Sequence, residues 1–380
     1  MPDSKIAQAR HERGWSQLSL IHLIRAVGRA TGVAVPDDEA FRITLSGWEN
    51  GHHRPGKVYQ RLLCEAFEMT EADLGFGTRS QARPTGVGAS AVSYLDSMLQ
   101  LHARADYTMG SRLLIDVVRE QTKQAEQWTH EARGSVHEPL LRTVSRYAEL
   151  CGWIHQDQGD VVAADDWTRR AVEMAQELGD ARLVAYGLMR RSNIATESGR
   201  PTDGLHLAEA AMRQRYNLDP RMTALSLRQK ASAHALLGEI TDCRTAVDRG
   251  TAAASAGAAV EQNQATTYCT MAYMAMEGGH AMLLAGDTNA AVQLLSSAIN
   301  QWPTGQDRDR GLCLARLAHA YVEAREPEAA CEIGHQAVTS LTTARSARTE
   351  GSLRRLCGRL HPYRTRPDVM DLREVLAQAV

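Results

Sequence analysis

The sequence has few aromatic residues and no long apolar run. Phe, Trp and Tyr make up 5% of the 380 residues, and only three of them are Phe. Alanine is abundant in the second half instead, which favours closely packed helices over a sandwich of β-strands. No apolar stretch approaches the ~18 residues of a membrane-spanning helix, and the N-terminus lacks the apolar core of a secretory signal. We therefore expect an all-α, cytoplasmic protein with no membrane contact.

Paired cysteines and catalytic motifs are also missing. The seven cysteines are scattered without a CxxC pair, so we expect buried free thiols rather than disulfides or a zinc site. The chain contains no phosphate-binding P-loop, no GxSxG and no HExxH motif. His52 and His53 are adjacent and could form a metal pair, but adjacent histidines on a turn rarely share one ion without a carboxylate at a suitable distance, so we expect a solvated, phosphate-facing turn. We expect no enzymatic activity, no metal and no cofactor.

The charge balance gives no general sign of a nucleic-acid partner. The formal net charge is −2, and residues 1–83 contain 11 Lys or Arg against 10 Asp or Glu. Most DNA-binding domains carry a visible positive excess. Any affinity for DNA must therefore come from positive groups placed on one face, not from bulk charge.

Composition divides the chain into four parts. Residues 1–76 alternate short helical patterns with turn signals, which predicts a first domain. Residues 77–90 are rich in Gly, Ser and Pro, which is the composition of a flexible linker. Residues 91–360 are helical in pattern almost throughout, and the Pro-rich residues 361–380 are expected to form a C-terminal tail.

One pattern recurs five times in the helical part. Its turns begin at Gly159, Gly199, Gly238, Gly286 and Arg325, at spacings of 40, 39, 48 and 39 residues. A small residue lies seven positions before each turn and another lies five positions after it, and two antiparallel helices can cross closely only at such residues. The pairs are Gly152 and Ala164, Ser192 and Gly204, Ala231 and Cys243, Gly279 and Ala291, and Ala318 and Ala330. The segments resemble tetratricopeptide repeats, which implies an α-solenoid with a concave groove.

The N-terminal region carries a different motif. Gly14 ends a first helical pattern, Ser16 is a good N-cap for a second, and residues 45–51 read LSGWENG. This region resembles the Cro/CI-like helix-turn-helix family of bacterial regulators, whose third helix ends in Ile-Ser-x-Trp-Glu-x-Gly. The middle of the motif is longer here than in the family. We predict a second helix over residues 18–29, a loop, and Asp37 or Asp38 as the cap of the third helix.

The resemblance implies that the third helix is a recognition helix for the major groove of double-stranded DNA. Phe41, Leu45 and Trp48 have near-helical spacing and are expected to form its buried face. Arg42 is the best candidate for a bidentate guanine contact, worth ~1–3 kcal/mol, although a solvated surface charge is the alternative. The expected DNA-contacting residues are Gln17, Arg42, Thr44, Ser46, Asn50, His53, Arg54 and Lys57.

Counting back from each repeat turn predicts the side chains that line the groove. These side chains include amides that can bind the backbone of a peptide and guanidinium groups that can bind a carboxylate. The alternative is that they are only the solvated side of amphipathic helices. The expected ligand-contacting residues are Trp153, Arg190, Asn193, Arg228, His280, Arg316 and His319.

The two resemblances together imply a transcription regulator. Bacterial regulators that combine this helix-turn-helix with such repeats bind signalling peptides or small molecules in the groove. The neutral first domain is expected to need two copies, which predicts a homodimer on an operator. The alternative is an adaptor whose repeats bind a partner protein.

Overall fold

The computed structural model describes residues 4–71, 73–76, 87–213, 218–257, 266–302, 307–343 and 346–379. Those ranges contain eighteen α-helices and no β-strand, which confirms the all-α expectation. Most of the expected linker, residues 77–86, lies outside the described residues. The first helix after it begins at Ala89.

Four helices form the N-terminal region. They are α1 (Lys5–Glu12), α2 (Gln17–Thr31), α3 (Asp38–Glu49) and α4 (Lys57–Phe67). The predicted caps are confirmed, since the Ser16 side chain accepts from the Ser19 amide at 3.0 Å and the Asp37 side chain accepts from the Ala40 amide at 3.0 Å. Satisfying these free amides fixes where α2 and α3 begin.

An aromatic core holds these four helices together. Phe41, Trp48 and Tyr59 are buried, and their ring centroids are 5.2–5.5 Å apart in tilted and edge-on arrangements. Such geometries are favourable beyond the apolar area that they bury. The predicted buried face of α3 is therefore confirmed, because Leu45 lies in the same core.

Fourteen more helices follow. They are α5 (Ala89–Met109), α6 (Ile115–Glu131), α7 (His137–Asp157), α8 (Val161–Glu177), α9 (Ala181–Glu197), α10 (Pro201–Arg213), α11 (Pro220–Leu237), α12 (Ile240–Gly257), α13 (Met271–Leu284), α14 (Thr288–Asn300), α15 (Asp307–Glu323), α16 (Pro327–Thr343), α17 (Ala347–Arg359) and α18 (Pro367–Ala379). Each predicted repeat is one hairpin, from α7 with α8 to α15 with α16. The helical repeats expected from the sequence are present.

Each hairpin turns at the residue that the sequence pattern marks. Gly159, Gly199, Gly238, Gly286 and Arg325 have φ angles between 63° and 83°. This left-handed conformation ends a helix by turning the backbone sharply, and glycine adopts it without steric cost. The fifth repeat uses Arg325 instead, one of two described non-glycine residues with positive φ.

The small residues allow the two helices of each hairpin to cross closely. A Cβ atom added at Gly279 would lie 3.2 Å from the Ala291 carbonyl oxygen and 2.7 Å from Leu295 Cγ. In the second hairpin, the Ser192 hydroxyl donates to the Gly204 carbonyl at 2.6 Å. The sequence columns therefore mark the positions where one backbone approaches the other.

The C-terminal segment is not the expected tail. Residues 367–379 form α18, and its Val369, Leu372 and Leu376 are buried against α16 and α17. The Pro-rich stretch before it marks a tight turn that includes a short 3₁₀ helix, not the end of the fold. α18 thus covers the apolar face of the last repeat, as terminal caps of repeat arrays do.

The chain divides into two compact units. The first contains residues 1–99, 120–149 and 169–187, and the second contains residues 100–119, 150–168 and 188–380. Helices α5 to α9 contribute segments to both. Within the described residues, no helix is both long enough and apolar enough to cross a membrane.

Candidate functional site

In the first unit, α3 presents a partly open face. Arg42 and Asn50 are exposed, Ile43 is 55% exposed and Ser46 is half-buried. The Asn50 amide donates to the Ser46 carbonyl at 2.8 Å, which holds it at the end of the helix. Of the side chains predicted for base contacts, Arg42 is therefore the one that is accessible and long.

A buried carboxylate fixes α3 against α1 and α2. Glu49 accepts from Arg10 at 3.0 Å and from the Gln17 side-chain amide at 2.7 Å. Charge-assisted bonds of this kind are shorter and stronger than neutral ones. Gln17, a predicted phosphate contact, thus uses its side-chain amide to bind Glu49, and this bond orients α2 against α3.

Thr44 is not open to DNA as predicted. It is 2% exposed, and its hydroxyl donates to Oε1 of Gln176, near the C-terminus of α8, at 3.2 Å. Thr44 does point away from the aromatic core, but the end of α8 covers that side of α3. The prediction of an exposed Thr44 is wrong because it took the four N-terminal helices in isolation.

His53 lies at the same contact. Its Nδ1 is 3.7 Å from Oε2 of Glu177 and has no hydrogen-bond partner among the described residues. Burial lowers the pKa of His53, and the charges of His52 and His130 add to this effect. Burial also raises the pKa of Glu177 to about 8. Burial therefore favours the neutral form of both side chains.

The remaining predicted phosphate contacts are exposed but not free. Arg54 donates to the Gly75 carbonyl. The Lys57 ammonium is 3.9 Å from Oε2 of Glu71, and its backbone amide donates to Oε1 of Glu138 in α7 at 3.4 Å. Surface pairs of this kind are weak enough to exchange for a phosphate.

In the second unit, three predicted ligand contacts lie together on α7 and α9. The Arg190 guanidinium lies 5.0 Å from the centre of the Trp153 ring and donates to the Gln156 side-chain oxygen at 2.6 Å. The Gln156 amide then donates to the Asn193 side-chain oxygen at 2.8 Å and to Glu197 at 2.6 Å. These side chains of α7 and α9 thus form one hydrogen-bonded network around an aromatic ring.

An arginine from α15 joins this network. Arg308 pairs with Asp106 at 2.5 Å and with Asp157 at 2.6 Å, and Asp106 also accepts from the Trp153 indole at 2.8 Å. Both Arg308 and Arg348 lie about 5.5 Å from the Trp153 ring centre. The α15 and α17 side chains therefore reach the same ring as Arg190.

A second charged cluster surrounds Glu277 in α13. Its carboxylate accepts from Arg228 at 2.5 Å and from Arg316 at 2.8 Å. Burial alone would raise the pKa of Glu277, but the two arginines outweigh it and hold the pKa far below its usual range. Burial and the Arg316 charge together lower the pKa of the neighbouring His280.

The predicted ligand contacts therefore fall into two clusters, with one exception, and many of them are already partnered. Arg190, Arg228 and Arg316 are buried, whereas Trp153 and His280 keep some exposed surface. His319 belongs elsewhere, because its Nε2 lies 2.9 Å from the Ser352 carbonyl and it packs beside α17. The arginines do not line solvent as expected, because Arg228 and Arg316 pair with the buried Glu277 and Arg190 donates to the Gln156 side chain.

Sequence patterns did not single out several residues that complete these clusters. Asp106 and Arg308 are 202 positions apart, and Gln176 is 132 positions from Thr44, so no local spacing connects them. Glu277 could have been found from the sequence, since it is the one acid at a repeat position that Arg190 and Arg316 also occupy.

Comparisons with known proteins identify no family. No family model matches the chain, and no curated protein matches its sequence. Among solved structures, the chain is similar to a Rap protein complexed with Competence and Sporulation Factor, with a TM-score of 0.49 and 12% identity over 76% of this chain and 100% of that one. It is also similar to BtubC (BKLC) from P. vanneervenii, with a TM-score of 0.44 and 16% identity over 62% of this chain and 92% of that one.

Proposed function

We propose that this chain is a non-enzymatic, DNA-binding transcription regulator that acts as a homodimer. The supporting observation is the geometry of α3. Glu49 ties α3 to α1 and α2 through Arg10 and Gln17, while Arg42, two turns earlier in α3, stays exposed. A rigid helix pair with an accessible arginine is what base recognition in the major groove requires.

The repeat groove is the proposed sensor, and its ligand is a signalling peptide or a small molecule. Trp153, Arg348 and His280 keep exposed surface beside buried charged networks. Asn193 and Gln156 offer amide groups of the kind that bind a peptide backbone. A ligand that exchanges with these internal bonds would change how the helices of the array pack.

The direct test is a band-shift titration of the full chain with genomic fragments. Binding should prefer a subset of fragments and weaken steeply as salt rises, because phosphate contacts release counterions. Replacing Arg42 by Ala should reduce the preference by about tenfold or more, the value of one good base contact. Binding with no preference and no salt dependence would contradict the proposal.

An adaptor that binds a partner protein is the second candidate. It is favoured by the near-neutral charge of residues 1–83 and by the burial of Thr44, both of which weaken the case for DNA. The double variant Arg42→Ala with Arg54→Ala separates the two functions. A regulator loses its effect on transcription, whereas an adaptor keeps its partner binding and its cellular effect.

A further inference from the structure

One side of the α3 face that would meet DNA is in contact with another part of the same unit. Thr44 is buried against Gln176, and Gly47 is buried beneath the His53 ring, where an added Cβ would lie 2.6 Å from the ring nitrogen Nε2. His53 in turn faces Glu177. A side chain covered in this way cannot reach a base edge in the major groove.

The contact is close and extends to α4. A Cβ added at Gly56 would lie 2.2 Å from the Glu177 carbonyl oxygen, so the two backbones touch. One added at Gly179, in the turn after α8, would lie 3.4 Å from the Val58 Cβ. Two segments of the N-terminal region therefore fit against one end of α8.

A carboxylate occupies one expected phosphate position. Gly56 precedes α4 and offers no side-chain cap, and Oε1 of Glu138 accepts from the Lys57 amide at 3.4 Å instead. The N-terminus of a helix is a common place for a DNA phosphate to bind. Glu138 stands at that place with the same charge sign as a phosphate.

We infer that the structure represents an autoinhibited state, in which the C-terminal end of α8 covers the Thr44 side of the recognition surface of α3. This inference rests on the proposed function. DNA binding then requires that α3 and α4 separate from residues 176–179. The covering contacts are a neutral hydrogen bond and a neutral His–Glu pair, which cost less to break than charged pairs do.

A reversible covalent lock tests the inference. The double variant Val58→Cys with Gly179→Cys places two Cβ atoms near the 3.5–4.5 Å separation of a disulfide. Gly179 has a φ of 66°, so cysteine is strained there in the oxidised and reduced forms alike. Comparing the two redox forms of one variant therefore removes the effect of the substitutions themselves. The single variant Val58→Cys controls for oxidation of the native thiols.

The probe is a random-sequence DNA duplex of about three helical turns at low salt. Under reducing conditions the double variant should bind it, and oxidation should weaken binding by at least about tenfold. Equal binding by both redox forms would overturn the inference and leave the proposed function intact. If neither form nor the unmodified chain binds any duplex, the proposed function fails and the inference fails with it.

A second variant tests release without a covalent bond. Gln176→Ala removes the acceptor for Thr44 and should increase affinity for the duplex by about fivefold, the value of one net hydrogen bond. The matched control is Gln124→Ala, which changes an exposed glutamine on α6 in the same unit. Affinity of Gln176→Ala no higher than that of the control would count against the inference.

Discussion

Two buried glutamates, one in each unit, have pKa values shifted in opposite directions. Glu177 in the first unit faces a neutral histidine, and burial raises its pKa to about 8. Glu277 in the second unit faces Arg228 and Arg316, which overcome the effect of burial and lower its pKa. Burial is similar in the two cases, and the presence of arginine decides the charge state.

The difference suggests different roles. The Glu277 cluster joins three repeats through charge-assisted bonds. Losing one partner would leave a buried charge without an opposite charge beside it. The Glu177 contact contains only neutral groups, so separating it leaves no orphaned charge. We therefore regard the Glu277 cluster as part of the stable scaffold and the Glu177 contact as a surface that can open.

The largest expected effect comes from breaking the charged cluster. Glu277→Ala should destabilise the chain by about 3–5 kcal/mol, because two buried guanidinium groups lose their shared carboxylate. Urea unfolding followed by circular dichroism measures this. Glu332→Ala, at an exposed position on α16, is the control and should change stability by less than about 0.5 kcal/mol. If Glu277→Ala lost as little stability as this control, the Glu277 cluster would not be the stronger of the two buried contacts.

Glu177, whose pKa is raised by burial, should make the chain less stable as pH rises. A raised pKa means that the folded state holds the proton more tightly, so the contribution of Glu177 is complete below pH 4.5 and is lost as pH rises towards about 8. Glu177→Gln should therefore leave stability unchanged at pH 5 and raise it by roughly 2–4 kcal/mol at pH 8.

Thermal unfolding from pH 5 to pH 8 measures this difference. The His53 imidazole faces Glu177, so the series is repeated with His53→Gln to remove its titration. A destabilised Glu177→Gln variant at pH 8 would mean that Glu177 is ionised in the folded protein and has a cationic partner.

The smallest effect is expected for the hydroxyl between α3 and α8. Thr44→Val keeps the shape but removes the donor to Gln176, which should cost about 1 kcal/mol. Thr245→Val on α12 is the control, because its hydroxyl bonds only within its own helix and is exposed. A loss of stability as large as that of Glu277→Ala would show that the contact between α3 and α8 is also part of the stable scaffold.

The sequence predicted the features that depend on neighbouring residues. Ser16 was identified as a cap, Asp37 was one of two candidates for the next cap, and all five repeat turns were located, because capping and turning are decided within a few positions. The pairing of Arg308 with Asp106 joins residues 202 positions apart, which no short pattern encodes. Thr44 was misplaced for the same reason, since its cover comes from a distant helix.

The measurement that tests the central claim most directly is the salt dependence of DNA affinity for the full chain and for Arg42→Ala. Fluorescence anisotropy with a duplex selected by the unmodified chain from a random pool gives both values. We predict a steep fall of affinity with salt for both proteins, and a loss of at least about tenfold for Arg42→Ala at every salt concentration. Equal affinity of the two proteins, or failure of the pool to yield any enriched sequence, would contradict recognition of DNA through α3.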